Sequence, residues 1–370
     1  MLSCARAFLL LSFLVSPAVA FPALSLTVQG PSAVHDIQNL RFKTAIQNTG
    51  NEELRLLNTP QSVLGRGLET DVFDVVHAGT GARPIFRGVK VKYSPARAAR
   101  INAFTIIRPG ETAELAHDLS ARYNFTSSGQ GVYTFTPFTI FTHVDQAGNL
   151  ISIRPTPSLS TSASLSVPIS INVSISGKLT HVSRDFATNS TSPLALPPRK
   201  RASFNECSSS QQSAIASAIA PAQEYAESAF AYASGINSGT KRYTHWFGEY
   251  SDENRNMIRS HFQRIMSNNQ IASNTYDCTC DKDDVYAYVK PDQPGTMYIC
   301  QMFFASPLTG TDSQAGTLVH ESSHFAINGG TFDYAYGQDD CTELAQSNPS
   351  NAVMNADSHE YFAENAPFEL

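Results

Sequence analysis

The sequence predicts an α+β protein in two parts, a β-sandwich-like first half followed by a mostly helical second half with a small sheet. Three observations carry this expectation. Short runs of alternating apolar and polar residues recur before residue 187, and an Ala-rich stretch with helical character follows residue 207. Composition and charge also change sharply near residue 200. A chain of 370 residues with 42% hydrophobic content has enough material for two globular domains.

The first twenty residues read as an export leader. Arg6 precedes the apolar run Ala7–Val15, and Ala18-Val19-Ala20 supplies small residues at the positions a signal peptidase requires. That run is too short to span a bilayer, and no later stretch is long and apolar enough to do so. A secreted protein is therefore expected, with neither a membrane nor a nucleic acid as partner.

Residues 21–201 read as the β-rich part. Leu165, Val167, Ile169, Ile171, Val173 and Ile175 alternate with mainly polar neighbours, the period of a half-buried strand. Leu40–Ile46 and Val132–Phe135 do the same, and many short strands at intervals suggest a sandwich. Pro168 lacks a backbone donor, which points to an edge position for its strand. Glycosylation sequons at Asn124, Asn172 and Asn189 all fall here.

Residues 187–198 are rich in Ala, Ser, Thr and Pro and end on Arg199-Lys200-Arg201, which reads as a solvated linker and a basic processing site. The charges divide at the same place. Beyond Arg201 there are 7 Lys and Arg against 21 Asp and Glu, and up to and including it 19 against 11. A basic segment tied to an acidic one is attracted to it, as expected of a pro-segment on a mature domain of residues 202–370.

In that second part, Ser208–Gln212 provides N-cap choices before a helix running to about Ala233, and Phe262–Met266 belongs to another helix. Val285–Val289 and Met297–Phe303 are strands by residue type. Cys207, Cys278, Cys280, Cys300 and Cys341 remain after the leader, so export permits two disulfides with one thiol left over.

The chemistry centres on Thr317–Phe325, which contains His320-Glu321-Ser322-Ser323-His324. On a helix, residues four apart share a face, so both imidazoles can reach one metal ion. Glu321 sits one step around, where its carboxylate can take a proton from activated water. Alone, the pattern arises by chance in roughly one chain of this length in a hundred, so the residues after it decide. Asn328-Gly329-Gly330 offers a helix stop, and Asp333 offers a hard oxygen ligand that completes a three-ligand site. Tyr336 carries a phenol able to donate to a developing oxyanion.

His320–His324 followed by Gly330-Thr331-Phe332-Asp333-Tyr334-Ala335-Tyr336-Gly337 resembles the aspzincin signature of deuterolysin-type metallopeptidases, HExxH plus GTxDxxYG. Thr309–Gly316 and Ala352–Phe362 extend the likeness to the lysine-directed branch of that family, and the resemblance covers nearly all of 203–370. It implies a zincin-like fold with one zinc ion per mature chain. The ion would be held by His320, His324 and Asp333, with Glu321 as base and Tyr336 assisting. It implies that Asp357 and Glu360 form an acidic pocket for the lysine after the scissile bond; replacing both is expected to leave the zinc site untouched. It also implies disulfides Cys207–Cys278 and Cys280–Cys300, with Cys341 departing from the pattern.

The expected activity is a zinc endopeptidase cutting proteins and peptides on the amino side of lysine, made as a pre-pro-enzyme with its own pro-segment as inhibitor or folding aid. The second part holds only three lysines, Lys241, Lys282 and Lys290, which suits an enzyme that attacks lysine. Two alternatives stand beside it. One is a broad deuterolysin-like peptidase sharing the metal site but not the lysine pocket, and the other is a non-catalytic secreted binding protein, against which the intact Glu321 argues.

Overall fold

The structure, a computed structural model, describes residues 21–156, 169–181, 201–268 and 270–365. The leader 1–20, the linker 187–198, Arg199, Lys200 and the sequon at Asn189 lie outside the described residues.

The first half is built from β-sheets. Strand Arg41–Asn48 turns Phe42, Thr44, Ile46 and Asn48 inward by its two-residue period, and it pairs antiparallel with Leu24–Gln29 and Thr112–Asp118. A four-stranded sheet runs Ala33–His35, Ile171–Ser176, Gly131–Pro137, Phe73–His77, and another runs Leu150–Ile153, Phe141–Val144, Leu54–Leu57, Phe104–Ile107. Phe42, Phe73, Phe125, Tyr133 and Phe135 centre one core, while Ile46, Leu54, Leu56 and Phe141 centre a second.

Leu165, Val167 and Pro168, on which the edge position was expected, lie outside the described residues. Of that strand, Ile171–Ser176 is described; it pairs with Gly131–Pro137 from Ile171 to Ile175 and with Ala33–His35 only over Ser174–Ser176, with Val173 and Ile175 buried.

The second half packs helices on one sheet. Helix Ser209–Gly235 starts from a capping box in which Ser208 and Gln211 satisfy each other's backbone donors. It buries the stripe Ala218, Ala222, Ala226, Ala229 and Ala233, whose small side chains let helices Asp252–Ser267 and Gln314–His324 approach closely. Every residue of Gln314–His324 is buried, so this helix is the centre of the domain. Disulfides join Cys207 to Cys278 and Cys280 to Cys300, while Cys341 is a buried free thiol.

Two local expectations change. The strand expected over Met297–Phe303 ends at Ile299, and Gln301–Ala305 is a short helix that buries Phe303. A short apolar run has no period of its own to separate strand from helix, and packing decides. The central helix ends at His324 rather than at Asn328-Gly329-Gly330. Asn328 instead reaches back from the turn, its amide donating to the Ser322 carbonyl at 2.8 Å, and Gly330 takes the left-handed φ of 61° as the chain reverses.

The sheet runs Ser203–Asn205, Thr275–Asp277, Thr296–Ile299, Val285–Val289, Lys90–Tyr93. Its fifth strand comes from the first half of the chain. It pairs antiparallel with Val285–Val289, which puts residues 90–93 against the face of the central helix.

Candidate metal centre

His320 and His324 stand one helical turn apart and turn their Nε2 atoms toward each other at 3.1 Å. Asp333, carried back by the turn after the helix, places Oδ1 at 3.3 Å from His320 Nε2 and 3.0 Å from His324 Nε2. All three side chains are buried. A tetrahedral zinc with bonds near 2.0 Å has ligand atoms about 3.3 Å apart, so this triangle has the edge lengths of one face of that tetrahedron. The other nitrogen of each imidazole faces an oxygen acceptor. His324 Nδ1 donates to the Thr331 carbonyl at 3.0 Å, and His320 Nδ1 lies 2.8 Å from Asp357 Oδ1 and 3.3 Å from Glu360 Oε2. Both rings therefore present their Nε2 lone pairs to one point beside a carboxylate oxygen, a donor set of borderline and hard atoms that suits zinc. The residues fit the ion. Burial opposes charge on Asp333, but His324 and His320 hold its carboxyl below the usual carboxylate range.

Glu321 lies beside this triangle, fully buried, and burial pushes its carboxyl up to about 8. Its Oε1 accepts from the Lys92 backbone N–H at 2.9 Å. The Tyr336 hydroxyl donates to the Val91 carbonyl at 2.9 Å, and Asp333 Oδ2 accepts from the Val91 N–H at 3.2 Å. The sequence singled out Glu321 and Tyr336, and the structure brings both onto a single peptide unit.

Asp357 and Glu360 share the inward face of helix Ala356–Glu364, as their spacing requires. Arg242 fixes this helix from behind, its Nε donating to the Phe362 carbonyl at 2.9 Å. The ammonium of Lys92 sits between them, 2.6 Å from Glu360 Oε2, 3.0 Å from Asp312 Oδ1 and 3.9 Å from Asp357 Oδ1. The ring of Tyr286 lies 4.7 Å from the same nitrogen. Burial works against charge on this lysine, but the three carboxylates raise its pKa well above the ordinary value.

Asp357 therefore lies beside the Lys92 ammonium and also touches His320, so the expectation that replacing Asp357 and Glu360 leaves the His320 site untouched is corrected. Sequence reading missed Asp312, Tyr286 and Glu364. Glu364 accepts from the N–H and hydroxyl of Ser313, the N-cap of the central helix. Asp312 lies inside Thr309–Gly316, where an acid next to an N-cap serine was the available signal. Nothing local marked Lys92. Among the described residues, His320 with Asp357 and Glu360 is the second cluster of metal-ligand type, and the Lys92 ammonium lies among its carboxylates.

Residues 232–364 match the family described as lysine-specific metallo-endopeptidase. The chain is 44% identical over 361 residues to the peptidyl-Lys metalloendopeptidase of Grifola frondosa, covering 96% of this chain and 97% of that one. It is 48% identical over 166 residues to the peptidyl-Lys metalloendopeptidase of Pleurotus ostreatus, covering 45% of this chain and 98% of that protein. Among solved structures, a zinc peptidase from Grifola frondosa is 51% identical, covers 44% of this chain and 98% of its own, and aligns with a TM-score of 0.43.

Proposed function

The chain belongs to the aspzincin family of metallopeptidases, and on that premise we propose the part each of its residues plays. It is a zinc endopeptidase that cleaves proteins and peptides at lysine, with one zinc ion per chain. His320, His324 and Asp333 would hold the metal, which would supply Lewis acidity to water and to the peptide carbonyl. Glu321 takes the proton of the attacking water and passes it to the leaving nitrogen. Tyr336 donates its hydroxyl hydrogen to the carbonyl oxygen as negative charge builds there.

Specificity comes from Asp357, Glu360 and Asp312, which hold the ammonium of the residue after the scissile bond, so the cut falls on the amino side of lysine. Three carboxylates around one nitrogen suit the compact ammonium better than the planar guanidinium of arginine. The observation that carries this reading is the buried Lys92 ammonium, 2.6 Å from Glu360, with its own backbone N–H on Glu321.

The protein is secreted as a precursor, with residues 21–201 a sandwich-like pro-segment removed at Arg199-Lys200-Arg201. Support for export comes from the leader-like N-terminus and the two disulfides. Support for the division comes from the Pleurotus ostreatus relative, whose match is about as long as 202–370. An inhibitory role is supported by Lys90–Tyr93 lying over Glu321 and Tyr336. Digestion of an unrelated protein by the activated enzyme, with mass spectrometry of the new N-termini, tests the reading. Peptides beginning with lysine are expected, and N-termini without residue preference would refute it.

A further inference from the structure

We propose that the Val91–Lys92 peptide bond is a substrate of the chain's own active site, cut within the molecule that carries it. This rests on the reading of Glu321, Tyr336 and the acidic pocket given above.

Strand Lys90–Tyr93 adds to the edge of the second half's sheet in the way an extended peptide ligand does, with Tyr288 opposite Val91 and Ala287 opposite Lys92. In this register the three contacts that hydrolysis needs fall on one peptide unit. The Val91 carbonyl oxygen accepts from Tyr336 at 2.9 Å, the Lys92 nitrogen lies 2.9 Å from Glu321 Oε1, and the Lys92 side chain fills the acidic pocket. A slip of one residue would turn Val91 or Tyr93 toward the pocket and take the lysine out of it. Lysine is rarely buried unless paired, and Lys92 is 1% exposed, paired with carboxylates that all belong to the second half. Its neighbour Lys90 pairs with Asp71 of the first half at 3.1 Å, which anchors the strand to its own half on one side of the bond.

The reaction is hydrolysis and balances with water alone. The water oxygen bonds to the Val91 carbonyl carbon, the bond to the Lys92 nitrogen breaks, and Glu321 delivers a proton to that nitrogen. The products are a carboxylate at Val91 and an amine at Lys92. The cut divides the strand at the bond over the site, so each piece is held by its own contacts and no longer by a continuous backbone, which lowers its effective concentration there.

The test follows the purified full chain, loaded with zinc, by intact mass and N-terminal sequencing. A new N-terminus at Lys92 is expected, appearing at a rate independent of protein concentration. Glu321→Gln should abolish it, and Lys92→Arg should slow it at least tenfold. In parallel, the preparation is opened at Arg201 by a dibasic-directed protease and given a peptide with one lysine. If that peptide is cut before lysine while Val91–Lys92 stays intact in the full chain, self-cleavage is overturned and the function stands. If neither is cut, both readings fail. A rate that rises with protein concentration overturns cleavage within one molecule.

Discussion

Asp357 Oδ1 lies 2.8 Å from Nδ1 of His320, so a carboxylate of the proposed lysine pocket also touches a proposed metal ligand. Burial raises the cost of ionising it, yet Lys92 and His320 hold it below its ordinary value. On the proposed roles, substrate recognition and metal binding are coupled through this one side chain. Asp357→Asn should weaken zinc binding about 10- to 100-fold, as loss of a carboxylate behind a ligating histidine does, and lower turnover on lysine peptides as well. Zinc titration against a competing chelator measures the first effect. Wild-type zinc affinity in this variant would show that the contact with His320 is idle.

The ligand triangle predicts a clean separation between holding the metal and using it. His320→Ala, His324→Ala and Asp333→Ala should each lose zinc, and a chelator should silence the wild type. Glu321→Gln should retain stoichiometric zinc while kcat falls about 10²- to 10⁴-fold, the range of a lost general base. Metal analysis beside single-turnover rates tells these cases apart, and near-normal rates in Glu321→Gln would remove it from the mechanism.

Much of this centre was legible because its signal is local. His320, Glu321 and His324 occupy two turns of one helix, and Asp333 and Tyr336 follow within twelve residues of it. The pocket was half legible, since Asp357 and Glu360 share a helix face, whereas Asp312 joins them only through tertiary packing. The fifth strand was not legible at all. Lys92 meets Glu321 across 229 positions, and Lys90–Tyr93 carries no local sign of pairing outside its own half. The boundary errors at Ile299 and His324 have the same origin, since packing of Phe303 and the reach of Asn328 override residue type.

Tyr336 donates to the carbonyl oxygen of the peptide unit held in the site, so its contribution should appear in the transition state. Tyr336→Phe should lower kcat about 10- to 10³-fold with KM and zinc content little changed. Steady-state kinetics on one lysine peptide decide it. A rise in KM at constant kcat would instead make this tyrosine a ground-state binding group.

Behind the pocket, His261 and His359 stack as neutral rings, His261 Nδ1 lying 3.0 Å from His359 Nε2 while His359 Nδ1 donates to the Asn355 carbonyl. Burial pushes His359 down to about 4 and His261 to about 2, from an ordinary value of 6.5. Below pH 6.5 the unfolded chain gains protons that the folded one refuses. The stability from this pair is therefore full above pH 6.5 and falls as pH drops toward 4. Between pH 7 and 5, His359→Gln should lose about 2 kcal/mol less stability than the wild type. Urea denaturation at the two pH values measures the difference, and equal losses would contradict the neutral pair.

The most direct test of the lysine pocket compares kcat/KM on two peptides that differ only in having lysine or norleucine after the scissile bond. The activated wild type should prefer lysine by orders of magnitude. Asp312 and Glu360 both bind the ammonium, and Asp357 stays in place to hold His320, so Asp312→Asn with Glu360→Gln should cut the lysine rate by 10- to 10³-fold. The norleucine rate should change little. A variant that keeps its full lysine preference, with zinc bound, would place the specificity pocket elsewhere and contradict the account.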